Sequence, residues 1–319
     1  MEMKILLKSI LNKIKVFFKQ VFSISVFDNH KVIYILGFHI RSKIKCKPVE
    51  NLITEFGLNT EARDEKIVLS LTTFPDRINT VQETIKTLLK QTYKPDAVIL
   101  WLAEEQFPTK EAELPEDLLK LRDFGLTIKW CNDIKSYKKL IPALKEYPND
   151  IIITFDDDIY YDDDIVENLY KAYKQHGCIC TNRAGRLKFT KSSIKALPTA
   201  QVYWTKYDDN SSRNTIIGCG GVLYPPNSLA KEVLDEEKFM SVMPTQDDVW
   251  FWAMAVLAGT PIRVVSAYDL NIRTVENTQQ YGLCKINKKK GKKGMHAKDG
   301  YALMANVYPD LLDKAKSIK

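Results

Sequence analysis

Residues 151–161 read IIITFDDDIYY, a β-branched apolar run that ends in three consecutive aspartates. Such a run, bounded upstream by the turn signals of residues 148–150, is typical of a strand buried on both faces of a parallel sheet. Open α/β sheets bind ligands in the crevice outside the carboxyl ends of their strands. The pattern therefore places Asp156, Asp157 and Asp158 where a ligand site is expected.

Three adjacent carboxylates repel one another unless a cation lies between them, and hard oxygen ligands suit Mg²⁺ or Mn²⁺. We therefore expect a metal site at the tip of this strand. The alternative is a solvated acidic turn that leads into a helix, because residues 162–164 are also aspartates and Asp is favoured near helix N-termini. The buried strand in front of the triplet favours the metal site.

The chain of 319 residues is 45% apolar and 27% charged, an ordinary globular composition with room for one large α/β domain plus appendages or for two small domains. Its net charge of +7 lies entirely near the N-terminus. Residues 1–50 hold ten Lys and Arg against three acidic residues, whereas residues 51–319 hold 37 of each sign. This distribution argues against a nucleic-acid partner and indicates a basic N-terminal appendage.

Residues 3–22, MKILLKSILNKIKVFFKQVF, place apolar and lysine side chains on different faces of a helix. No apolar run there exceeds three residues, which is too short to span a bilayer. The pattern predicts a helix lying on an anionic membrane surface, and an amphipathic helix packed on the protein's own core is the alternative. Residues 31–45, KVIYILGFHIRSKIK, predict a short basic β-hairpin around Gly37.

The six cysteines form no CxxC pair, and no secretory cleavage site follows the first apolar stretch. Both features suit reduced thiols in the cell interior. Together with the amphipathic segment they predict a cytoplasmic protein, peripheral on the inner face of the cytoplasmic membrane.

Strand-like and helix-like segments alternate from residue 67 onward. The predicted strands are 67–72, 97–102, 126–131, 151–155 and 178–182, and the predicted helices are 79–91, 115–122, 138–146 and 164–175. This alternation indicates an α/β fold with a mostly parallel central sheet flanked by helices. We therefore divide the chain into a basic helix and hairpin at 1–50, a connection at 51–66, the α/β domain at 67–283, and a basic loop with a C-terminal helix at 284–319.

Residues 216–224, IIGCGGVLY, form an apolar run that three glycines interrupt. Glycines inside a strand-like run indicate a bulge or the close approach of a ligand or another backbone. The run lacks the spacing and the βα context of a dinucleotide fingerprint, so no Rossmann cofactor is expected.

Residues 244–254, PTQDDVWFWAM, give a second acidic point. Thr245 can cap a helix whose first turn holds Asp247 and Asp248 and whose body is strongly apolar. Two acids there suit the helix dipole, but a pair that leads a buried aromatic helix also suits a catalytic carboxylate. Residues 285–298 hold seven lysines, a pattern typical of a solvated loop or of a basic lid over a phosphate-bearing ligand.

These features together fit glycosyl transfer from a nucleotide diphosphate sugar. The leaving diphosphate develops negative charge, which a divalent cation and nearby lysines stabilise. The acceptor hydroxyl is a poor nucleophile, and a carboxylate in reach removes its proton as the new bond forms. One base with in-line attack predicts inversion at the anomeric carbon.

Several motifs resemble those of bacterial glycosyltransferases of the family 2 type, which have a GT-A fold and occur among enzymes that build surface polysaccharide, capsule or lipooligosaccharide. The motifs are IVLSLTTFPDR at 67–77, QTYKPD at 91–96, LWLA at 100–103, SYKKL at 136–140, FDDDI at 155–159, GGVLYPP at 220–226 and QDDVWFWAM at 246–254. The resemblance covers about residues 66–270. It implies a metal-dependent transferase that acts on a glycan or lipid-linked acceptor.

The resemblance also implies roles for the aspartates. Asp156 and Asp158 match the outer acids of the DxD motif, with Asp158 the direct metal ligand and Asp156 nearer the ribose or the metal. Asp157 is the middle residue of the motif, which varies within the family, and it is implied to be one of the residues that bind the donor. Asp248 is implied as the catalytic base and Asp247 as its acidic neighbour, where the family often has Glu-Asp.

The resemblance assigns nucleotide binding to residues at or just after the ends of the first two strands of the α/β domain. By the same resemblance, Thr72 and Thr73 would line the nucleotide. Glu104 would accept the imide N–H of uracil, and the next residue, Glu105, competes for this role. Lys139 would approach the diphosphate.

His296 matches a position where some GT-A enzymes place a third metal ligand. The alternative is an exposed histidine in a lysine-rich loop. The expected cofactor is Mn²⁺ or Mg²⁺, and the expected donor substrate is a nucleotide diphosphate sugar.

Two other functions compete with this one. A sugar nucleotidyltransferase also uses a sheet, acids and Mg²⁺. It would require a Gly-rich phosphate loop after its first strand, and the sequence TTFPDR at that place is not such a loop. A non-catalytic, membrane-bound glycan-binding or scaffold subunit would need no second carboxylate beside a buried aromatic helix.

Overall fold

The computed structural model describes residues 22–27, 30–35, 38–43, 56–197, 209–265, 272–282 and 297–318. Within these ranges no helix is both long enough and apolar enough to cross a membrane. The N-terminal helix expected at residues 3–22 lies outside them, apart from Phe22, which begins a strand.

The strands, in chain order, are β1 (Phe22–Phe27), β2 (His30–Ile35), β3 (Phe38–Lys43), β4 (Ile67–Thr72), β5 (Ala97–Ala103), β6 (Leu126–Cys131), β7 (Ile151–Thr154), β8 (Ile159–Tyr160), β9 (Ile179–Thr181), β10 (Leu187–Phe189), β11 (Ile194–Ala196), β12 (Val222–Tyr224), β13 (Ile262–Val264) and β14 (Arg273–Thr274). The α-helices are α1 (Val81–Leu89), α2 (Glu116–Leu119), α3 (Ile141–Glu146), α4 (Ile165–His176), α5 (Glu236–Val242), α6 (Asp247–Leu257), α7 (Ala297–Val307) and α8 (Leu311–Ser317).

The central sheet has seven strands in the order β13-β9-β12-β7-β4-β5-β6. β4, β5, β6 and β7 run parallel to one another, β9 runs parallel to β13, and β12 is antiparallel to both of its neighbours. Ser70 of β4 lies opposite Thr154 of β7, so the residues that follow these two strands emerge side by side. Val222 of β12 also lies opposite Thr154, which brings the chain before β12 to the same edge.

Both faces of this sheet are buried, because its apolar side chains alternate between two hydrophobic clusters. On one face Ile152 packs in a cluster with Trp250 and Trp252 of α6, both fully buried. On the other face Ile151 and Ile153 share a cluster with apolar residues of α1 and α4. Each fully buried side chain of this size stabilises the fold by about 1.5–3 kcal/mol. Burial on both faces explains why β7 is uniformly apolar.

The expected α/β class, with a mostly parallel central sheet flanked by helices, is confirmed, and the architecture is consistent with a GT-A-like fold. The basic hairpin is present as the antiparallel pair β2 and β3, in which Ile35 lies opposite Phe38. β1 extends it to a three-stranded antiparallel sheet.

Several local predictions were wrong in extent. The helix expected at 115–122 is only α2 followed by a 3₁₀ turn, and α3 begins three residues later than the helix expected at 138–146. α6 begins at Asp247 with Gln246 as its N-cap residue, so Thr245 is not the cap. Of the apolar run 216–224 only Val222–Tyr224 is a strand, because Gly218–Gly220 forms a 3₁₀ turn instead.

Candidate active site

Three segments converge at the carboxyl end of β7: the aspartate triplet, the first turn of α6, and the Gly218–Gly220 turn before β12. Gly218 marks the point of convergence. A Cβ atom added there would lie 2.6 Å from Nζ of Lys139, 2.9 Å from Oδ1 of Asp248 and 3.5 Å from Oδ1 of Asp156. The expected close approach of other groups to this glycine run is therefore confirmed.

Lys139 joins the strand tip to the start of α6. Its buried ammonium lies 2.9 Å from Oδ1 of Asp156 and 3.0 Å from Oδ2 of Asp247. Its backbone is fixed to the sheet, because the hydroxyl of Ser70 donates to the Lys139 carbonyl over 2.6 Å. Burial opposes the charged form, but the surrounding carboxylates raise the pKa of Lys139 well above its usual value. Lys139 is therefore a permanent internal cation of the site.

One carboxylate oxygen of Asp248 is hydrogen-bonded, and the other is open in the sense that it has no hydrogen-bond partner among the described residues. Its Oδ2 accepts a hydrogen bond of 3.0 Å from the backbone N–H of Gly218. Its Oδ1 is buried and has no hydrogen-bond partner among the described residues. Burial raises the pKa of Asp248 to about 7, the nearby Lys139 opposes that shift, and Asp247 adds to it. A carboxylate with this pKa and an open oxygen can take up a proton near neutral pH.

The three acids of the triplet have different surroundings. Asp157 is buried, with Oδ1 lying 2.6 Å from NH1 of Arg77 and Oδ2 accepting a hydrogen bond from the hydroxyl of Thr73. Oδ2 of Asp158 forms an ion pair with NH2 of Arg77 at 2.9 Å and accepts a hydrogen bond from the side-chain amide of Gln279 at 2.8 Å. Burial raises the pKa of Asp157, and it raises the pKa of Asp158 to about 7.

Asp156 is the most accessible acid of the triplet, since 32% of its side chain is exposed, against 7% for Asp157 and 10% for Asp158. Its backbone N–H donates to the Tyr161 hydroxyl over 3.0 Å, which fixes the chain directly after β7. A ligand that enters from solvent would therefore meet Asp156 first.

The remaining predicted residues are divided between this cluster and other places. Thr73 lies in the cluster, whereas the hydroxyl of Thr72 donates to the carbonyl of Trp101 over 2.8 Å. Glu104 follows β5 and forms an exposed ion pair with Lys110 at 3.1 Å. Glu105 instead accepts from the backbone N–H of Asp133 over 3.0 Å.

His296 lies outside the described residues. Two other groups in the cluster, Arg77 and Gln279, had no role in the sequence analysis. Arg77 lies within the run 67–77, but no local feature of the sequence indicates that an arginine at the end of a 3₁₀ turn is buried. Gln279 reaches the triplet because β14 pairs with β8, a pairing of two residues that carries almost no sequence signal.

The balance of charge bears on whether the cluster suits a cation. Five aspartates share the two cationic side chains of Arg77 and Lys139, which leaves three negative charges when all the carboxylates are ionised. Within the described ranges no three His, Cys, Asp or Glu side chains are grouped so as to hold a metal ion by themselves. Mg²⁺ is usually held by one or two carboxylates together with substrate phosphates and water. The surplus of carboxylate and the open side of Asp156 fit a divalent cation of that kind.

The sequence matches no protein-family model, and no curated protein is significantly similar to it. Among solved structures, it is similar to TarS of S. aureus in complex with UDP, with 12% identity and a TM-score of 0.44 over 64% of this chain and 59% of that chain. The aligned region therefore spans less than two thirds of the TarS chain.

It is also similar to the mannosyltransferase PcManGT from Pyrobaculum calidifontis in complex with GDP-Man and Mn²⁺, with 13% identity and a TM-score of 0.45 over 84% of this chain and 78% of that chain. A third similar structure is a cytidylyltransferase from Leptospira borgpetersenii, with 12% identity and a TM-score of 0.39 over 81% of this chain and 99% of that chain. The second and third are named as transferases, of two kinds. None of the three reaches a TM-score of 0.5, so these similarities carry no argument about the activity of this chain.

Proposed function

We propose that this protein is a metal-dependent, inverting glycosyltransferase that moves a sugar from a nucleotide diphosphate sugar to a hydroxyl group of a glycan or lipid-linked acceptor. One observation carries the proposal. Oδ1 of Asp248 is buried without a hydrogen-bond partner among the described residues, and both this atom and Oδ1 of Asp156 lie within 3.5 Å of the position that a Cβ atom would take at Gly218.

Asp248 is the general base. Its open Oδ1 takes the proton of the acceptor hydroxyl while the hydroxyl oxygen bonds to the anomeric carbon and the bond from that carbon to the diphosphate breaks. Its Oδ2 stays bonded to the N–H of Gly218, so the carboxylate keeps its orientation. A base works best when its pKa lies near the working pH, which the raised pKa of Asp248 provides. Attack from the side opposite the leaving group inverts the anomeric carbon.

Asp156 and Asp158 are the residues that would hold a divalent cation, Mn²⁺ or Mg²⁺, together with the donor's diphosphate. Such a cation, when bound, neutralises the charge that develops on the leaving diphosphate. Asp247 orients Lys139 through their 3.0 Å ion pair, and Lys139 in turn fixes Asp156. Thr73 supports the triplet from β4 by bonding to Asp157.

Sugar nucleotidyl transfer is the second candidate, and the environment of Asp248 bears on it. The nucleophile of that reaction is a sugar phosphate, which is already an anion near pH 7 and needs no base. A sugar hydroxyl does need one, since its pKa lies far above 7. A buried carboxylate with an open oxygen therefore supports glycosyl transfer over nucleotidyl transfer.

Surface polysaccharide, capsule or lipooligosaccharide assembly on an anionic membrane is the setting that we propose for this reaction. The basic excess of residues 1–50 and the amphipathic pattern of residues 3–22 support it.

The function is tested by incubating the purified full chain with Mn²⁺ and a panel of nucleotide diphosphate sugars, and separately with nucleoside triphosphates and sugar 1-phosphates. Glycosyltransferase activity predicts slow release of a nucleoside diphosphate from one donor. Release of pyrophosphate in the second set, with no turnover in the first, would instead establish a nucleotidyltransferase.

A further inference from the structure

Arg77 is the buried cation of the acidic triplet. It ends the 3₁₀ turn Pro75–Arg77 after β4, and only 9% of its side chain is exposed. Its guanidinium reaches two neighbouring acids, with NH1 at 2.6 Å from Asp157 and NH2 at 2.9 Å from Asp158. NH2 also donates to the backbone carbonyl of Thr278 over 3.1 Å. One side chain thus ties β4, the triplet and the segment after β14 together.

These contacts separate the roles of Asp157 and Asp158. Both carboxylate oxygens of Asp157 are engaged, one by Arg77 and the other by Thr73. Among the described side chains, Arg77 forms an ion pair with Asp158 and Gln279 donates a hydrogen bond to it, and both contacts fall on Oδ2. A cation bound by Asp157 would have to compete with the Arg77 ion pair at Oδ1 or with the Thr73 hydrogen bond at Oδ2, whereas Asp158 can offer its Oδ1 without losing any of these contacts.

We propose that Arg77 is a positioning residue for the cation site. It holds Asp157 in an ion pair, so that Asp157 is not a cation ligand, and it fixes the carboxylate of Asp158 so that Oδ1 is available. The inference rests on the proposed function and deepens it. The guanidinium fork suits this task, because its donors lie in one plane and can hold two carboxylates in a defined relation. Lysine, with a single ammonium, cannot reproduce that geometry.

A purely neutralising role for Arg77 gives a different expectation. If Arg77 only balanced charge, removing it together with the charge of Asp157 would leave the site as it was. If Arg77 positions Asp158, the charge-balanced double variant folds but binds the cation poorly. Changes to groups that orient metal ligands typically lower metal affinity by about 10- to 100-fold.

The experiment measures Mn²⁺ binding by isothermal titration calorimetry, and the melting temperature, for the full-length wild type, Arg77→Met, Arg77→Lys and the double variant R77M/D157N. Asp156→Asn serves as the reference for loss of a proposed ligand. We expect R77M to melt well below the wild type, because it leaves Asp157 buried and unpaired. R77M/D157N should recover most of that melting temperature and still bind Mn²⁺ about 10- to 100-fold more weakly than the wild type.

R77K keeps the charge, so it tests the same point should the double variant fail to fold, and it should show the same weakening. Wild-type affinity in either R77K or R77M/D157N would overturn the positioning role while leaving the cation site in place. A wild-type protein that binds no Mn²⁺, in the presence or absence of a nucleoside diphosphate, would overturn the cation site itself.

Discussion

The backbone N–H of Gly218 donates a 3.0 Å hydrogen bond to Oδ2 of Asp248, and the other oxygen of that carboxylate is left as a proton acceptor. A carboxylate held at one oxygen cannot rotate freely, so its open oxygen has a fixed direction. The glycine is required for this contact because the space where a side chain would stand is filled by Lys139 and Asp248. The glycine-rich turn and the carboxylate of Asp248, the proposed base, therefore form one structural unit.

Replacing Asp248 with Asn removes the proton acceptor and keeps the size of the side chain. We expect turnover to fall by about 10²- to 10⁴-fold, since this is the usual contribution of a general base. Binding of a nucleoside diphosphate should be unchanged, because the base acts only as the new bond forms. Steady-state rates and calorimetry measure the two quantities. Asp117→Asn, on the exposed surface of α2, is the control and should match the wild type. Full turnover by D248N would refute the assignment of the base.

The pH dependence of kcat/KM should report the titration of Asp248. Burial raises the pKa of this carboxyl from its ordinary 3.8 to about 7, and the base works only when ionised. We therefore expect kcat/KM to rise with pH through about 7 and to level off above it. The profile would be measured between about pH 5 and 9. A kcat/KM that stays level down to about pH 5, as the ordinary pKa of 3.8 would give, would show that Asp248 is not the group that limits the rate.

The raised pKa of Asp248 also makes the stability of the fold depend on pH. Because the folded state holds this proton more tightly than the unfolded chain does, the contribution of Asp248 to stability is greatest below about pH 4. It declines as the pH rises towards about 7.

Replacing Gly218 with Ala should impair catalysis far more than folding. The new Cβ would lie 2.6 Å from Nζ of Lys139 and 2.9 Å from Oδ1 of Asp248, so both charged groups must move. A displacement of this size at reacting groups typically lowers turnover by about 10²-fold. Gly177→Ala is the matched control. That glycine has φ +63° and open space around it, so alanine there costs about 1–2 kcal/mol of stability and no activity. Equal activities of G218A and G177A would contradict the proposed geometry.

Lys139 and Asp247 should behave as a coupled pair in unfolding experiments. Replacing Lys139 with Met leaves two carboxylates without their buried cation, which should destabilise the protein by about 3–5 kcal/mol. The double variant K139M/D247N should lose less than the sum of the single variants, because it removes a charge that would otherwise stay unpaired. Urea unfolding at pH 8 measures all three. Strictly additive losses would show that the ion pair contributes nothing.

The parts that sequence reasoning found are those whose physical signal is local. β7 and the triplet were recognisable because a uniformly apolar run must be buried on both faces, and the acids then fall at the ligand-binding end. Asp247 and Asp248 were recognisable as the start of a buried helix from local signals, but only the resemblance of the motif at 246–254 assigned them to the same site as the triplet.

The parts that it missed depend on distant contacts. Arg77 is buried against Asp157 and Asp158, which come next to it because β4 and β7 are paired neighbours in the sheet. Strands of two or three residues, such as β13 and β14, are fixed by partners far away in the chain rather than by their own residues. The glycines of the run 216–224 indicated a bulge or a close approach, but the 3₁₀ turn at Gly218–Gly220 and its contacts with Lys139 and Asp248 carry no local signal.

The most direct measurement is the position of Mn²⁺ in crystals grown with the metal and a nucleoside diphosphate, located by its anomalous scattering. We predict a single metal peak at the end of β7, with oxygens of Asp156 and Asp158 and of the diphosphate within about 2.0–2.3 Å, the range for a small divalent cation. Oδ1 of Asp248 should face the same site. A metal bound elsewhere, or a diphosphate bound with no metal at these two aspartates, would contradict the proposed cation site.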